Sequence, residues 1–171
     1  MSKSRLRNAL LWILAIVLTL TTVIYQRATG PTYPVKGDVI IDSEIIDYKL
    51  LRTHDTEINA PVIVEVQDEE ITGRLTFKRY KSYDDWTTVE MTRESGKLVS
   101  ELPFQPAAGK IEYHVSLYKN GKEYKLNEAP AIIRFKGAVP RAVLIPHIFF
   151  MFISMLFGMR AGLEAIFKGN D

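Results

Sequence analysis

Residues 111–126 read IEYHVSLYKNGKEYKL. Ile111, Tyr113, Val115 and Leu117 alternate with Glu112, His114 and Ser116, so an extended chain here has one apolar edge and one polar edge. Asn120 and Gly121 both tolerate positive φ, and between two strand patterns they are the strongest short hairpin signal. The stretch predicts two antiparallel strands, 111–118 and 122–126, with one dry face.

The same alternation recurs outward from this hairpin. Ile46, Tyr48 and Leu50 alternate with Asp47 and Lys49; Val62, Val64 and Val66 flank Glu65; Leu75 and Phe77 interleave with Arg74, Thr76 and Lys78; Val89 and Met91 with Thr88 and Glu90. Strands are predicted at 38–41, 44–52, 62–67, 72–80, 87–93, 98–101, 111–118, 122–126 and 132–135, with Asp42-Ser43 as a second, weaker hairpin turn. No helix-length period intervenes, so the middle of the chain is expected to be an antiparallel all-β domain. Two sheets packed dry face to dry face would make a sandwich.

Residues 79–118, RYKSYDDWTTVEMTRESGKLVSELPFQPAAGKIEYHVSLY, carry a resemblance. They resemble the immunoglobulin-like and fibronectin type III-like modules of many bacterial extracellular proteins. In those modules a tryptophan strand is followed by a short strand, a proline-rich corner ending in glycine, and a Tyr-x-Val strand. The matching residues are Trp86, Val89, Met91, Leu102, Pro103, Gly109, Tyr113 and Val115. The resemblance implies an immunoglobulin-like sandwich with Trp86 in its core and Tyr113 as a tyrosine corner, its phenol bonded to backbone at the turn before its strand. It implies a fold and not an activity. Trp86 shares parity with Thr88 and Glu90 on the polar side, so it reaches the core only through a bulge.

Both ends differ from this middle. Residues 8–26 carry no charge; as a helix they extend roughly 28 Å, enough to cross a bilayer. Trp12 and Tyr25 stand near the two ends of the stretch, and Lys3, Arg5 and Arg7 precede it, which predicts a cytoplasmic N-terminus. A cleaved signal peptide is the alternative, but the apolar run is long and Gln26-Arg27-Ala28 is a poor cleavage site. Residues 142–159, AVLIPHIFFMFISMLFGM, form a second uncharged stretch between Arg141 and Arg160. Two crossings would return Arg160 and Lys168 to the cytoplasm. The expected division is 1–7 cytoplasmic, 8–26 a transmembrane helix, 27–137 an extracytoplasmic immunoglobulin-like domain, 138–160 a transmembrane helix, and 161–171 a cytoplasmic or interfacial tail. More coarsely, this order resembles uncharacterised bacterial membrane-anchored proteins, in which further helices can follow.

Residues 31–137 hold 15 basic and 18 acidic residues, whereas the whole chain has 22 and 20. The basic excess therefore belongs to the membrane flanks, where cations meet anionic headgroups, and nothing in the sequence points to nucleic acid. The absence of cysteine removes disulfides, thiolate zinc sites and thiol nucleophiles. An exported domain without disulfides suggests a bacterial source, and with it the inner membrane.

Little in the chain predicts catalysis. No Ser-His-Asp spacing, HExxH, P-loop or dinucleotide fingerprint occurs, so no enzyme, metal site or small-molecule substrate is expected. His54 and His114 read as surface residues. His147 lies within the second apolar stretch, where an ionisable residue often marks function. At helical spacing His147, Met151, Ser154, Gly158 and Gly162 share a stripe, whose small residues would let the first span or a partner helix approach. Ala15, Thr19 and Thr22 form a comparable face on the first span. His147 with Met151 could bind haem or copper; alternatively His147 reaches headgroups or a backbone carbonyl.

Tyr80, Tyr83 and Trp86, with Arg74 and Lys78, form a candidate aromatic and basic binding patch. These readings predict a non-catalytic membrane-anchored protein whose outer domain binds or positions a partner in a membrane complex. An accessory or assembly protein for a haem or copper respiratory enzyme is the alternative, and a cell-envelope glycan binder is a third.

Overall fold

A computed structural model describes residues 3–168, with side chains described from Arg5 to Phe167. The chain forms two compact units, one made of both ends and one of residues 31–138.

The first unit is a pair of long helices, α1 (Lys3–Thr29) and α2 (Arg141–Lys168). Both are long and apolar enough to cross a membrane. Each outruns its predicted span. In particular, α2 continues without a break through residues 161–167, where Glu164 and Lys168 keep the helical spacing of the sequence, and it carries Pro146 only one turn from its start, where a lost backbone bond costs least.

The helices meet along Leu11, Ala15 and Thr19 of α1 and Leu163 of α2, all buried, with Leu18, Leu156 and Met159 packed alongside. Trp12 meets Phe157 edge-on at 5.8 Å. Arg160 Nη2 donates to Asn8 Oδ1 at 2.6 Å and its guanidinium lies 5.5 Å from the Trp12 ring, so the start of α1 is tied to the end of α2.

The second unit has eleven strands: β1 (Val35–Ile41), β2 (Glu44–Leu50), β3 (Thr53–Asp55), β4 (Ala60–Glu65), β5 (Thr72–Arg79), β6 (Thr87–Glu90), β7 (Thr92–Glu94), β8 (Lys97–Leu102), β9 (Lys110–Lys119), β10 (Lys122–Lys125) and β11 (Ala131–Lys136). They make a β1-β2 hairpin, a three-stranded sheet β4-β8-β7, and a six-stranded sheet β3-β11-β9-β5-β6 in which β10 also pairs with β9. Inward residues of all three sheets merge into one core. Ile46, Val64, Leu75, Leu98, Tyr113, Val115, Ile133 and Phe135 have almost no exposed surface, and burial of each large apolar side chain contributes roughly 1.5–3 kcal/mol.

Several expectations change here. The sheet is mixed, because β3 runs parallel to β11 with Arg134 opposite Thr53, whereas alternation had suggested purely antiparallel pairing. Alternation defines faces and is silent on strand direction. The single strand expected at 87–93 is two. Thr87–Glu90 pairs with β5, Met91 N–H bonds the Gly73 carbonyl at 2.8 Å, and Thr92–Glu94 crosses to β8. Met91 is where the chain changes sheets. Tyr113 is not a corner to the turn before its strand: its phenol donates to the Leu51 carbonyl at 2.8 Å, at the step from β2 to β3.

β9 forms the hairpin with β10 through the Asn120-Gly121 turn. Its first half pairs with β11 and its second half with β10. Between them the carboxamide of Asn127 accepts from Val115 N–H at 3.2 Å and donates to the Tyr113 carbonyl at 3.2 Å and the Ala129 carbonyl at 2.9 Å. It substitutes for the missing strand residue, which explains a buried amide in an apolar core.

One end of the domain is tied by two partly buried cations. Lys119 Nζ bridges Asp42 at 2.6 Å and Asp68 at 2.7 Å. Arg93 donates to the carbonyls of Val66, Asp68 and Ile71, holding the turn between β4 and β5.

Candidate functional site

The polar edges of β5, β6 and β9 compose the outer face of the six-stranded sheet. Register sets Thr76 opposite both Thr88 and His114, Arg74 opposite Glu90 and Ser116, and Lys78 opposite Glu112. Opposite-sign pairs facing across strands support the sheet. Arg74 Nε meets Glu90 at 2.6 Å, the two Thr hydroxyls lie 3.0 Å apart, and Lys78 lies 3.5 Å from Glu112.

Trp86 lies on this face. Its ring is 42 % exposed, 5.5 Å from the His114 imidazole and 5.0 Å from the Lys78 ammonium. This overturns the core placement implied by the resemblance. No bulge reverses its parity, so it stays with Thr88 and Glu90 as the alternation alone required. His114 is in turn oriented by its Nδ1–H tautomer, which donates to the Asn127 carbonyl at 3.3 Å.

Farther along the face, the Arg74 guanidinium stacks on Tyr118 at 4.8 Å, and Glu123 accepts from the Ser116 and Tyr118 hydroxyls at 2.8 and 3.0 Å. Those hydroxyls, Ser116 first, lower the Glu123 pKa, and Glu90 holds Arg74 more firmly protonated. The face is thus a row of fixed charges around aromatic rings, with His114, Tyr118, Glu90 and Glu123 joining the residues anticipated from sequence. Parity already placed Glu90 and His114 on polar edges. Their assembly into one surface depends on the strand register, which nothing in the sequence specified.

The remaining residues of the anticipated patch are elsewhere. Tyr80 follows the end of β5, with the Lys81 and Lys110 ammonium groups 5.5 and 5.4 Å from its ring. Tyr83 is wholly exposed at the tip of the β5–β6 loop. That loop is pinned by Arg79, which meets Asp84 through two bonds of 2.6 and 2.8 Å; with the Ser82 hydroxyl it holds the Asp84 pKa at about 2.

A groove of about 750 Å³ runs beside the β1-β2 hairpin, where Lys36 faces Lys49 and Asp38 faces Asp47 across the pair. It holds no histidine and no Ser or Thr nucleophile. Among the described residues no cluster of three or more His, Asp or Glu side chains could hold a metal ion.

On the helices, Ala15 and Thr19 lie in the α1–α2 contact, but Thr22 is exposed. Ser154, Gly158 and Gly162 are exposed, and a Cβ on either glycine would meet nothing within 4 Å. The small-residue stripe of α2 therefore does not pack on α1; the larger Leu156, Met159 and Leu163 do. A Leu or Met side chain fills the gap that Ala15 leaves, which helical spacing on one chain cannot reveal. His147 and Met151 are both exposed on α2.

No protein-family model matches the chain, and comparison with curated proteins finds no match.

Proposed function

We propose that this chain is a membrane-anchored, non-catalytic protein whose β-domain, on the outer side of a bacterial inner membrane, binds or positions a partner protein in a membrane complex. The observation that carries this reading is Trp86, held half-exposed between His114 and Lys78 on a sheet face of ordered charges. A large aromatic fixed outside the core, ringed by charged groups, has the make-up of an interface anchor with a polar rim. The positive flanks, Lys3, Arg5 and Arg7 at the start of α1 and Arg160 and Lys168 late in α2, support a cytoplasmic side for both termini.

An immunoglobulin-like architecture accompanies this proposal. With β4 as strand B, the orders β4-β8-β7 and β11-β9-β5-β6 correspond to B-E-D and G-F-C-C′. The separate β1-β2 hairpin and the added β10 depart from that plan.

The test is affinity purification of the full chain from mild detergent, beside Trp86→Ala. A protein captured by the native chain and lost from the variant is the expected result. Repeated recovery of the chain alone would remove the proposal. A glycan is the second reading, favoured by the same exposed indole, and a glycan pull-down with the same variant decides it. The haem or copper alternative rests on His147 and Met151, and a purified protein with no Soret band and no copper would end it.

A further inference from the structure

We infer that the end of the β-domain at which β11 hands the chain to α2 is itself a lipid-contacting surface, its loop tips seated in the headgroup layer of the bilayer. Register gathers three loops at this end. Lys136 pairs with Asp55, so the 56–59 loop follows there; Arg134 pairs with Lys110 and Arg79 with Ile111, which brings in the 103–109 and 80–86 loops. Bonds join the first two loops to each other and to β11, and Tyr80 N–H reaches the Lys110 carbonyl at 3.0 Å. The Ala108 N–H reaches the Phe135 carbonyl at 2.8 Å, the Asn59 amide reaches Glu101 at 3.0 Å, and Phe104 N–H reaches Asn59 at 3.0 Å.

The tips of these loops expose Ile58 at 60 %, Tyr83 at 108 % and Phe104 at 57 %. Ile58 and Phe104 border one cleft of about 540 Å³. At the opposite end, with the turns at 42–43, 68–70, 95–96 and 120–121, no aromatic side chain is comparably exposed among the described residues. Isolated exposed apolar side chains are ordinary, and Ile40 and Ile45 beside the 42–43 turn are such a pair; what sets one end apart is two exposed aromatic rings on its loop tips.

Covalent reach selects lipid as the occupant. Four residues, 137–140, separate β11 from α2, so at most about 18 Å of chain connects this end to the first residue of the helix. A linker of that length lets the loop tips reach the interfacial layer at the start of the span, where Tyr and Phe rings are favoured. Lys81 and Lys110 beside Tyr80 supply phosphate partners, while Asp55, Glu57, Asp84 and Asp85 nearby offset them. The contact is therefore apolar and interfacial in character and does not require anionic lipid.

This inference rests on the membrane-anchor reading, and the test separates the two. The chain has no cysteine, so single probes can be placed without background. Full-length Tyr83→Cys, Phe104→Cys and Ile58→Cys, with Glu69→Cys at the opposite end as control, are labelled with a fluorophore. They are reconstituted in phosphatidylcholine vesicles carrying a headgroup nitroxide, and an unchanged circular dichroism spectrum verifies the fold of each. Loss of fluorescence at positions 83, 104 and 58, but not at 69, is expected. Vesicle-floating protein with all four probes equally bright overturns the lipid contact and leaves the anchor standing. Failure to float with vesicles overturns the anchor.

Discussion

The Tyr113 phenol donates a 2.8 Å hydrogen bond to the Leu51 carbonyl, joining the central strand of the larger sheet to the bend between β2 and β3. The ring has no exposed surface, and burial raises its pKa; the hydrogen bond to Leu51 only partly opposes that shift. Tyr113→Phe removes the donor from a part-buried carbonyl and is expected to cost about 0.5–1.5 kcal/mol. A denaturant midpoint equal to that of the native chain would contradict this.

The same tyrosine gives an alkaline dependence. Its folded pKa is raised above the ordinary 10.0, so folding favours the protonated phenol. That contribution is complete below pH 10 and is lost as pH rises beyond it. Thermal midpoints from pH 8 to 11 should fall more steeply for the native chain than for Tyr113→Phe, and parallel curves would refute the assignment.

Asp84 and Asp68 set an acid dependence of opposite sign. Arg79 first, then Ser82, holds Asp84 at about 2, and Lys119 first, then the Glu70 N–H, lowers Asp68. Both contributions are present above the ordinary carboxyl value of 3.8 and disappear as pH falls through the lowered ones. Carboxyl NMR titration should show both midpoints displaced downward. Lys119→Met should return only Asp68 toward 3.8.

Asn127 stands in for a strand residue beside β9. Asn127→Ala leaves Val115 N–H unpaired in the core, and a loss of about 1–3 kcal/mol is expected. Hydrogen exchange at Val115 should accelerate beyond its neighbours on the β5 side, and protection at the native level would count against the substitution of side chain for strand.

Ala15 and Gly158 distinguish the two helix faces. Ala15 is fully buried against α2, whereas a Cβ at Gly158 meets open space. Ala15→Leu should therefore disrupt crosslinking between cysteines introduced on α1 and α2, and Gly158→Leu should leave it unchanged. The reverse pattern would show that the small-residue stripe is the packing face.

How legible this protein is varies by level. The hairpin at Asn120-Gly121, the dry faces of β2, β4, β5 and β9, and both apolar helices follow from local alternation, φ tolerance and length, which depend on neighbouring residues alone. The parity of Trp86 was also legible, and it proved a better guide than the resemblance that placed the ring in the core. Met91 gave no sign of a change of sheet, because a residue buried between two sheets has the same apolar character in either. Likewise Tyr113 and Leu51, Arg74 and Tyr118, or Trp86 and His114 come together through strand order and register. Those are settled by packing among distant segments, and alternation with a period of two is satisfied equally by many registers. The sequence by itself determined the elements, their wet and dry faces and the two long apolar helices. The tertiary structure decided which wet faces join into one surface, which helix face is filled, and which loops share the end of the β-domain at which β11 finishes.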